Sequence, residues 1–188
     1  MAGRDMIRPR FTIPPSGEFP VTISMYQASV PVFTRVLTNL TAILDKARTH
    51  AEAKKMDPDV FLGCRIIADM YPLSRQIQIV SDTAKGGVAR LAGAEPPAWA
   101  DDEKTMDDIL ARIKKTADYL GTFKAEQIDG SEDRTITLKL GPNTVDFKGQ
   151  PYLLGFVIPN VFFHAATAYD ILRANGVDIG KRDFLGAA

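Results

Sequence analysis

The sequence predicts an all-α fold: a four-helix bundle with one small β-hairpin inserted between the third and fourth helices. Three observations predict it. Apolar residues recur in alternating steps of four and three along three separate stretches, the spacing of one helical face, and a fourth, Gln150–Asn175, is apolar on most of its circumference. Turn residues punctuate the chain between those stretches. One segment, Arg134–Leu140, switches to alternation with period two, the pattern of a half-buried strand. A chain of 188 residues is long enough for one domain with a sizeable core, here residues 21–188.

Residues 1–20 stand apart. Four prolines and scattered charge oppose any regular element, and no apolar run makes a secretory signal. This segment is expected to be a disordered extension or a cloning-derived leader. The first helix is expected over Ile23–Lys54, with the seam Tyr26, Val30, Phe33, Leu37, Leu40, Leu44, Ala47 and Ala51. Pro31 should kink it or mark its true start. Residues 55–65 read as a loop, with Asp57-Pro58 as turn starter and Phe61 and Leu62 docking on the bundle.

The second helix is expected over Ala68–Ala92, capped by Asp69, with Pro72 in its first turn. Its seam is Met70, Leu73, Ile77, Val80, Ala84, Val88 and Leu91. Arg75, Gln78 and Asp82 fall opposite the seam, where a wet face is the plain expectation and a pocket rim or subunit contact the alternative. Gly86-Gly87 implies close approach of another backbone or a kink. Ala92–Lys104 reads as a surface linker whose Trp99 lids the end of the bundle. The third helix starts at Thr105, where Thr105 and Asp108 resemble a capping box. Arg112, Lys114 and Lys115 lie off its seam and read as a solvated face.

RTITLKL, then GPNT, then VDFK read as a hairpin with a four-residue loop. The fourth helix follows from Tyr152 to Ala174, bent or divided at Pro159 and stopped by Asn175-Gly176. Phe184-Leu185 should dock the tail.

Composition narrows the function. Lys+Arg and Asp+Glu balance at 23 each, so no basic field favours nucleic acid as a partner. The single cysteine, Cys64, forbids an internal disulfide and fits a cytoplasmic location. Leu153–Ala168 is too short and too interrupted by Pro159, Asn160 and His164 for a membrane span. P-loop, dinucleotide-fold, nucleophile-elbow and zincin motifs are absent from the sequence. Cys64 in FLGCRI reads as a small hydrophobe, with His50 its one conceivable catalytic partner.

The candidate polar pocket is His164, Asn160, Thr167 and Tyr152, all on the apolar fourth helix. Asn160, His164 and Thr167 share one face at i, i+4 and i+7, and Tyr152 lies two turns earlier. The plain expectation is a satisfied buried network around the imidazole. The functional one is a small-ligand cleft between helices.

Helix 1, the DPDVFLGCR loop, the YPLSRQIQ helix start, the hairpin and the ending FFHAATAYDILRANGVDIGKRDFLG together resemble a bacterial family of unassigned function, similar to the DinB/YfiT-like bundles. The resemblance covers roughly residues 23–186 and is most specific in the last helix and IGKRDFLG tail. It implies an up-down-down-up bundle, commonly a homodimer, among metal-dependent hydrolases and thiol transferases. Those relatives hold a divalent metal through one histidine on the second helix and two spaced four apart on the last. Here His164 matches one position, Ala168 and Asn160 occupy its i+4 and i−4 neighbours, and the second helix has no histidine. A catalytic zinc site needs about three protein ligands. Asp82 or Asp170 could only partly replace them. The expectation is therefore a non-metal, non-enzymatic bundle with no cofactor and a degenerate metal site, which binds a small molecule or self-associates. A hydrolase or thiol S-transferase using His164, and a purely structural dimer, are the alternatives.

Overall fold

A computed structural model describes residues 23–186, so the expected leader over residues 1–20 lies outside them. The long helices are α1 (Val30–Ala53), α2 (Leu73–Leu91), α3 (Met106–Leu120) and a continuous final helix. The last comprises α5 (Gly149–Tyr152), a π-helical turn over Leu153–Val157, and α6 (Ile158–Ala174). A short α4 (Ala125–Ile128) leads into strands β1 (Thr135–Leu140) and β2 (Asn143–Lys148), and α7 (Lys181–Leu185) closes the chain. The expected bundle with a hairpin between the third and fourth long helices is the observed fold.

Each α1 seam residue except Tyr26 is buried, as are Leu73, Ile77, Val80, Ala84, Val88 and Leu91 of α2. Around the core the neighbours run α1, α3, α2, α6, so α1 and α2 sit diagonally. Residue pairs set the directions. Gln76 meets His164, and Arg90 meets Tyr152, so α2 and the last helix are antiparallel. Arg48 at the end of α1 pairs with Asp107 at the start of α3, so these two are antiparallel as well. His50 lies 3.9 Å from the space above Gly176, which puts the C-terminal ends of α1 and α6 together. The order is up-down-down-up, and α2 and α3 run parallel.

That parallel pair has a consequence. The linker after α2 must return along the bundle before α3 can begin. A helix of α2's length rises about 28 Å, which an extended linker of this length can span. The linker therefore lies along the α2–α3 groove rather than over the bundle end.

Several boundaries differ from the sequence expectations. Pro31 marks the true start of α1, because its ring tolerates the first helical turn and no earlier one. Helix α2 begins at Leu73, later than Ala68, and Asp69 does not cap it. Pro72 is the extended N-cap residue, and the carbonyl of Cys64 accepts from the Leu73 N–H at 2.9 Å instead. At α3 the capping box is present, Thr105 and Asp108 each satisfying the other's backbone N–H. The hairpin loop is Gly141-Pro142, with Leu140 opposite Asn143, and not the four residues GPNT. Gly141 has φ +60°, which the first position of a type II′ turn needs and which glycine adopts without strain.

The final helix starts at Gly149 and not at Tyr152. Pro159 has no N–H to donate one turn back, and the π-helical turn immediately before it absorbs the defect. The resulting Gly149–Ala174 helix is 26 residues long, enough by length and composition alone to cross a membrane. Its inner face instead carries core residues Tyr152, Leu153, Val157, Val161, Ala165 and Ala168. The tail docks as expected: Arg35 and Asn39 donate to the carbonyls of Leu185 and Phe184, and Phe184 sets its ring against Tyr169.

Candidate functional site

His164 sits half-buried on α6, facing the first turn of α2. Its Nδ1 lies 2.6 Å from Oε1 of Gln76, a side chain that is itself buried. The Gln76 amide nitrogen donates to the Tyr71 carbonyl at 3.0 Å, which turns the amide oxygen toward the imidazole. An amide oxygen only accepts, so Nδ1 carries the hydrogen. Burial, and then the nearby positive charge of Arg75, push the His164 pKa below its ordinary 6.5. At neutral pH the ring is uncharged, with its lone pair on Nε2. The result is an oriented imidazole with one defined acceptor nitrogen, the arrangement that a second group imposes on working histidines.

The other candidate residues do not join it. Asn160 donates to the Phe156 carbonyl at 2.8 Å, and Thr167 donates to the Phe163 carbonyl at 2.8 Å. Both satisfy their own helix one turn back. The imidazole finds its partner on α2, eighty-eight residues away in sequence. Tyr152 does not close the end of this line. Its hydroxyl meets Arg90, fourteen residues along α2 from Gln76, a separation of about 21 Å at the α-helical rise. His164 and Tyr152 therefore belong to two different places.

The largest departure from the sequence reading lies in the α2–α3 groove. Arg112 is buried there, with only 2% of its side chain exposed, rather than solvated. It pairs with Asp82 at 2.9 Å, Asp101 at 2.9 Å and Glu103 at 2.7 Å, and donates to the Ala100 carbonyl. Lys85, also buried, reaches Asp82 at 2.8 Å. Gln78 donates to Glu103, and Arg75 pairs with Asp101. The face of α2 expected to be wet is thus covered by the returning linker. Burial works against the charge on Arg112, but its bond to Glu103 and the charges of Asp82, Glu103 and Asp101 more than offset it and raise the pKa. Trp99 does not lid the bundle end. It lies on the flank with the Lys85 and Lys115 ammonium groups 4.1 and 4.4 Å from its ring and its edge against Tyr119. The signal available in the sequence was the run Asp101-Asp102-Glu103 opposite the basic residues of α3.

The donors near His164 do not fit a three-ligand metal site. Gln76 occupies the α2 position facing it, with both amide atoms committed. Ala168 offers no donor, and Asp82 is engaged by Lys85 and Arg112. Among the described residues no three histidine, cysteine or acidic side chains converge as metal ligands. Cys64 and His50 are not paired either: the thiol turns to the Val60 carbonyl, and the His50 ring packs against Phe61.

Comparison with known proteins agrees with this architecture. A family model described as "Domain of unknown function (DUF1993)" matches residues 25–185. Among solved structures, a DinB family member protein from Shewanella denitrificans is similar to this chain, with 41% identity and a TM-score of 0.78. The match covers 87% of this chain and 92% of that one. A search of curated proteins finds no match. By family model, fold and identity together, the chain belongs to the DUF1993 family, a DinB-like family of helical bundles whose function is unknown.

Proposed function

We propose that this protein is a soluble, cytoplasmic, non-metal member of the DinB-like bundles that binds a small molecule beside His164. The observation that carries the reading is the Gln76–His164 contact, which fixes the imidazole and presents Nε2 as an acceptor. A ligand with a hydrogen-bond donor and an apolar or aromatic body suits that nitrogen. The Phe163 ring stands edge-on to the imidazole at 5.1 Å, and exposed Tyr71 carries the carbonyl that holds Gln76. A fragment screen read by thermal shift tests it. Ligands that stabilise the wild type should lose their effect in His164→Ala and weaken in Gln76→Ala. A full response in both variants would place the site elsewhere. Stoichiometric zinc or nickel in untagged protein, abolished by His164→Ala, would favour the hydrolase or thiol-transferase reading instead.

A second reading, self-association as a homodimer, has its own support. Leu154, Phe162 and Phe163 on the last helix are 51%, 37% and 58% exposed, an apolar strip on a helix whose other face is core. Light scattering at micromolar concentration should show a dimer that Phe163→Glu converts to monomer. A wild-type monomer would remove this reading.

A further inference from the structure

Helix α2 ends beneath the hairpin, and two adjoining clefts of about 310 and 500 Å³ open there. Arg90 and Thr137 line both. Tyr152 and Lys139 complete one, and Arg134 and Gly93 the other. Two arginines here are held in an unusual way. A Cβ on Gly86 would lie 2.5 Å from Arg90 Nη1, and a Cβ on Gly93 would overlap Arg134 Nη1. Each guanidinium is thus seated in the space that a glycine leaves. Neither makes an ion pair among the described residues, and Lys139 makes none.

The third group is Tyr152, whose ring is buried between the hairpin and α2. Its hydroxyl oxygen accepts from Arg90 Nη1 at 3.4 Å, and its own hydrogen has no acceptor among the described residues. Burial raises the Tyr152 pKa against the opposing effect of Arg90, so that hydrogen is kept. The acidic residues at the rim are Asp82 and Glu95. Asp82 is already neutralised by Lys85 and Arg112, and the Thr137 hydroxyl is committed to Asp146. Glu95, which is uncommitted, lines only the second cleft; in the first, with Arg90, Lys139 and Tyr152, the uncommitted groups are cationic or donors.

We propose that the first of these clefts binds a small oxyanion, a carboxylate or phosphate group, between Arg90 and Lys139, with the Tyr152 hydroxyl donating to it. Forked guanidinium donors match the planar or tetrahedral oxygens of such groups, and a buried phenol adds one neutral donor. The site is independent of His164, at the opposite end of α2.

Calorimetric titration of the full chain with inorganic phosphate and, separately, with succinate tests the assignment and distinguishes the two chemistries. Saturable binding of one or both in the millimolar range or tighter is expected. Arg90→Gln and Lys139→Gln should each weaken it about tenfold or more, as loss of a charge-assisted hydrogen bond does. Tyr152→Phe should weaken it less, and His164→Ala should leave it unchanged. Amide shifts of Gly86 and Lys139 report binding at the cleft itself. Thermal melts without ligand show that each variant folds. If Arg90→Gln fails to fold, Lys139→Gln, on the exposed hairpin side, decides. No saturable response from either anion, or wild-type affinity in the Arg90 and Lys139 variants, overturns the proposal.

Discussion

Gln76 and His164 face each other across the α2–α6 seam, and the 2.6 Å contact fixes both the amide and the imidazole tautomer. Replacing the neutral amide by a carboxylate changes the charge that the imidazole meets. Gln76→Glu should raise the His164 pKa, because an adjacent anion favours the protonated ring. Gln76→Ala should destabilise the fold by about 1–3 kcal/mol, since the half-buried imidazole N–H and the Tyr71 carbonyl lose a partner. Proton NMR titration of the His164 ring measures the first effect and urea denaturation the second. An unmoved His164 titration in Gln76→Glu would mean that the contact is not made in solution.

The depressed His164 pKa also links stability to pH. Burial first, and then Arg75, disfavour the charged ring in the fold. The unfolded chain binds a proton that the folded chain resists. This contribution to stability is complete above the unfolded pKa of about 6.5 and is lost as pH falls through the folded value. Urea midpoints of the wild type should therefore fall more steeply than those of His164→Asn as the pH is lowered from about 7.5 to about 5. Parallel curves for the two proteins would contradict the assignment.

Arg112 holds the linker. Removing it strands Glu103, whose side chain is 10% exposed, and leaves Asp82 and Asp101 without their shared cation. Breaking a buried pair costs about 3–5 kcal/mol; because Asp82 and Asp101 are partly solvated, Arg112→Met should cost nearer the lower end. Arg112→Lys should cost less, since one ammonium keeps the charge but cannot reach three carboxylates and a carbonyl together. Urea denaturation gives the stability. Hydrogen exchange over residues 94–104 should accelerate in Arg112→Met, and unchanged exchange there would show that the linker is held by other means.

How much of this was legible in sequence follows from the range of each interaction. The α1 and α2 seams, the Thr105–Asp108 capping box and the hairpin depend on neighbours within a few residues, and all were readable. The start of α2 was not, because a distant carbonyl, that of Cys64, does the work expected of Asp69. Arg112 looked solvated because two of the acids that bury it, Asp101 and Glu103, come from a linker that only the parallel α2–α3 arrangement brings back. At the candidate site, the face shared by Asn160, His164 and Thr167 was visible, but the partners on α2 were not: Gln76 for His164, and Arg90 for Tyr152. Periodicity places a side chain on a face; it does not say which residue of another helix stands opposite.

Gly87 and Gly149 show the same limit and allow a direct test. The Gly86-Gly87 pair suggested close approach of another backbone, but what fills the space is side chain: the Arg90 guanidinium at Gly86 and Val157 at Gly87. A Cβ at Gly87 would stand 2.6 Å from Val157 Cγ1, in the π-helical turn of the last helix. A Cβ at Gly149 would overlap the Ser131 carbonyl oxygen, a backbone atom held by the Arg134 N–H. The valine can turn, whereas that carbonyl cannot move without the start of the hairpin. Gly87→Ala should therefore cost about 1–3 kcal/mol, partly offset by alanine's better helix propensity. Gly149→Ala should cost more, and Gly63→Ala, with nothing within 4 Å of its Cβ, should be close to neutral. Thermal melts of the three variants give the order directly. If Gly149→Ala melts with the wild type, the final helix does not begin against Ser131 as described.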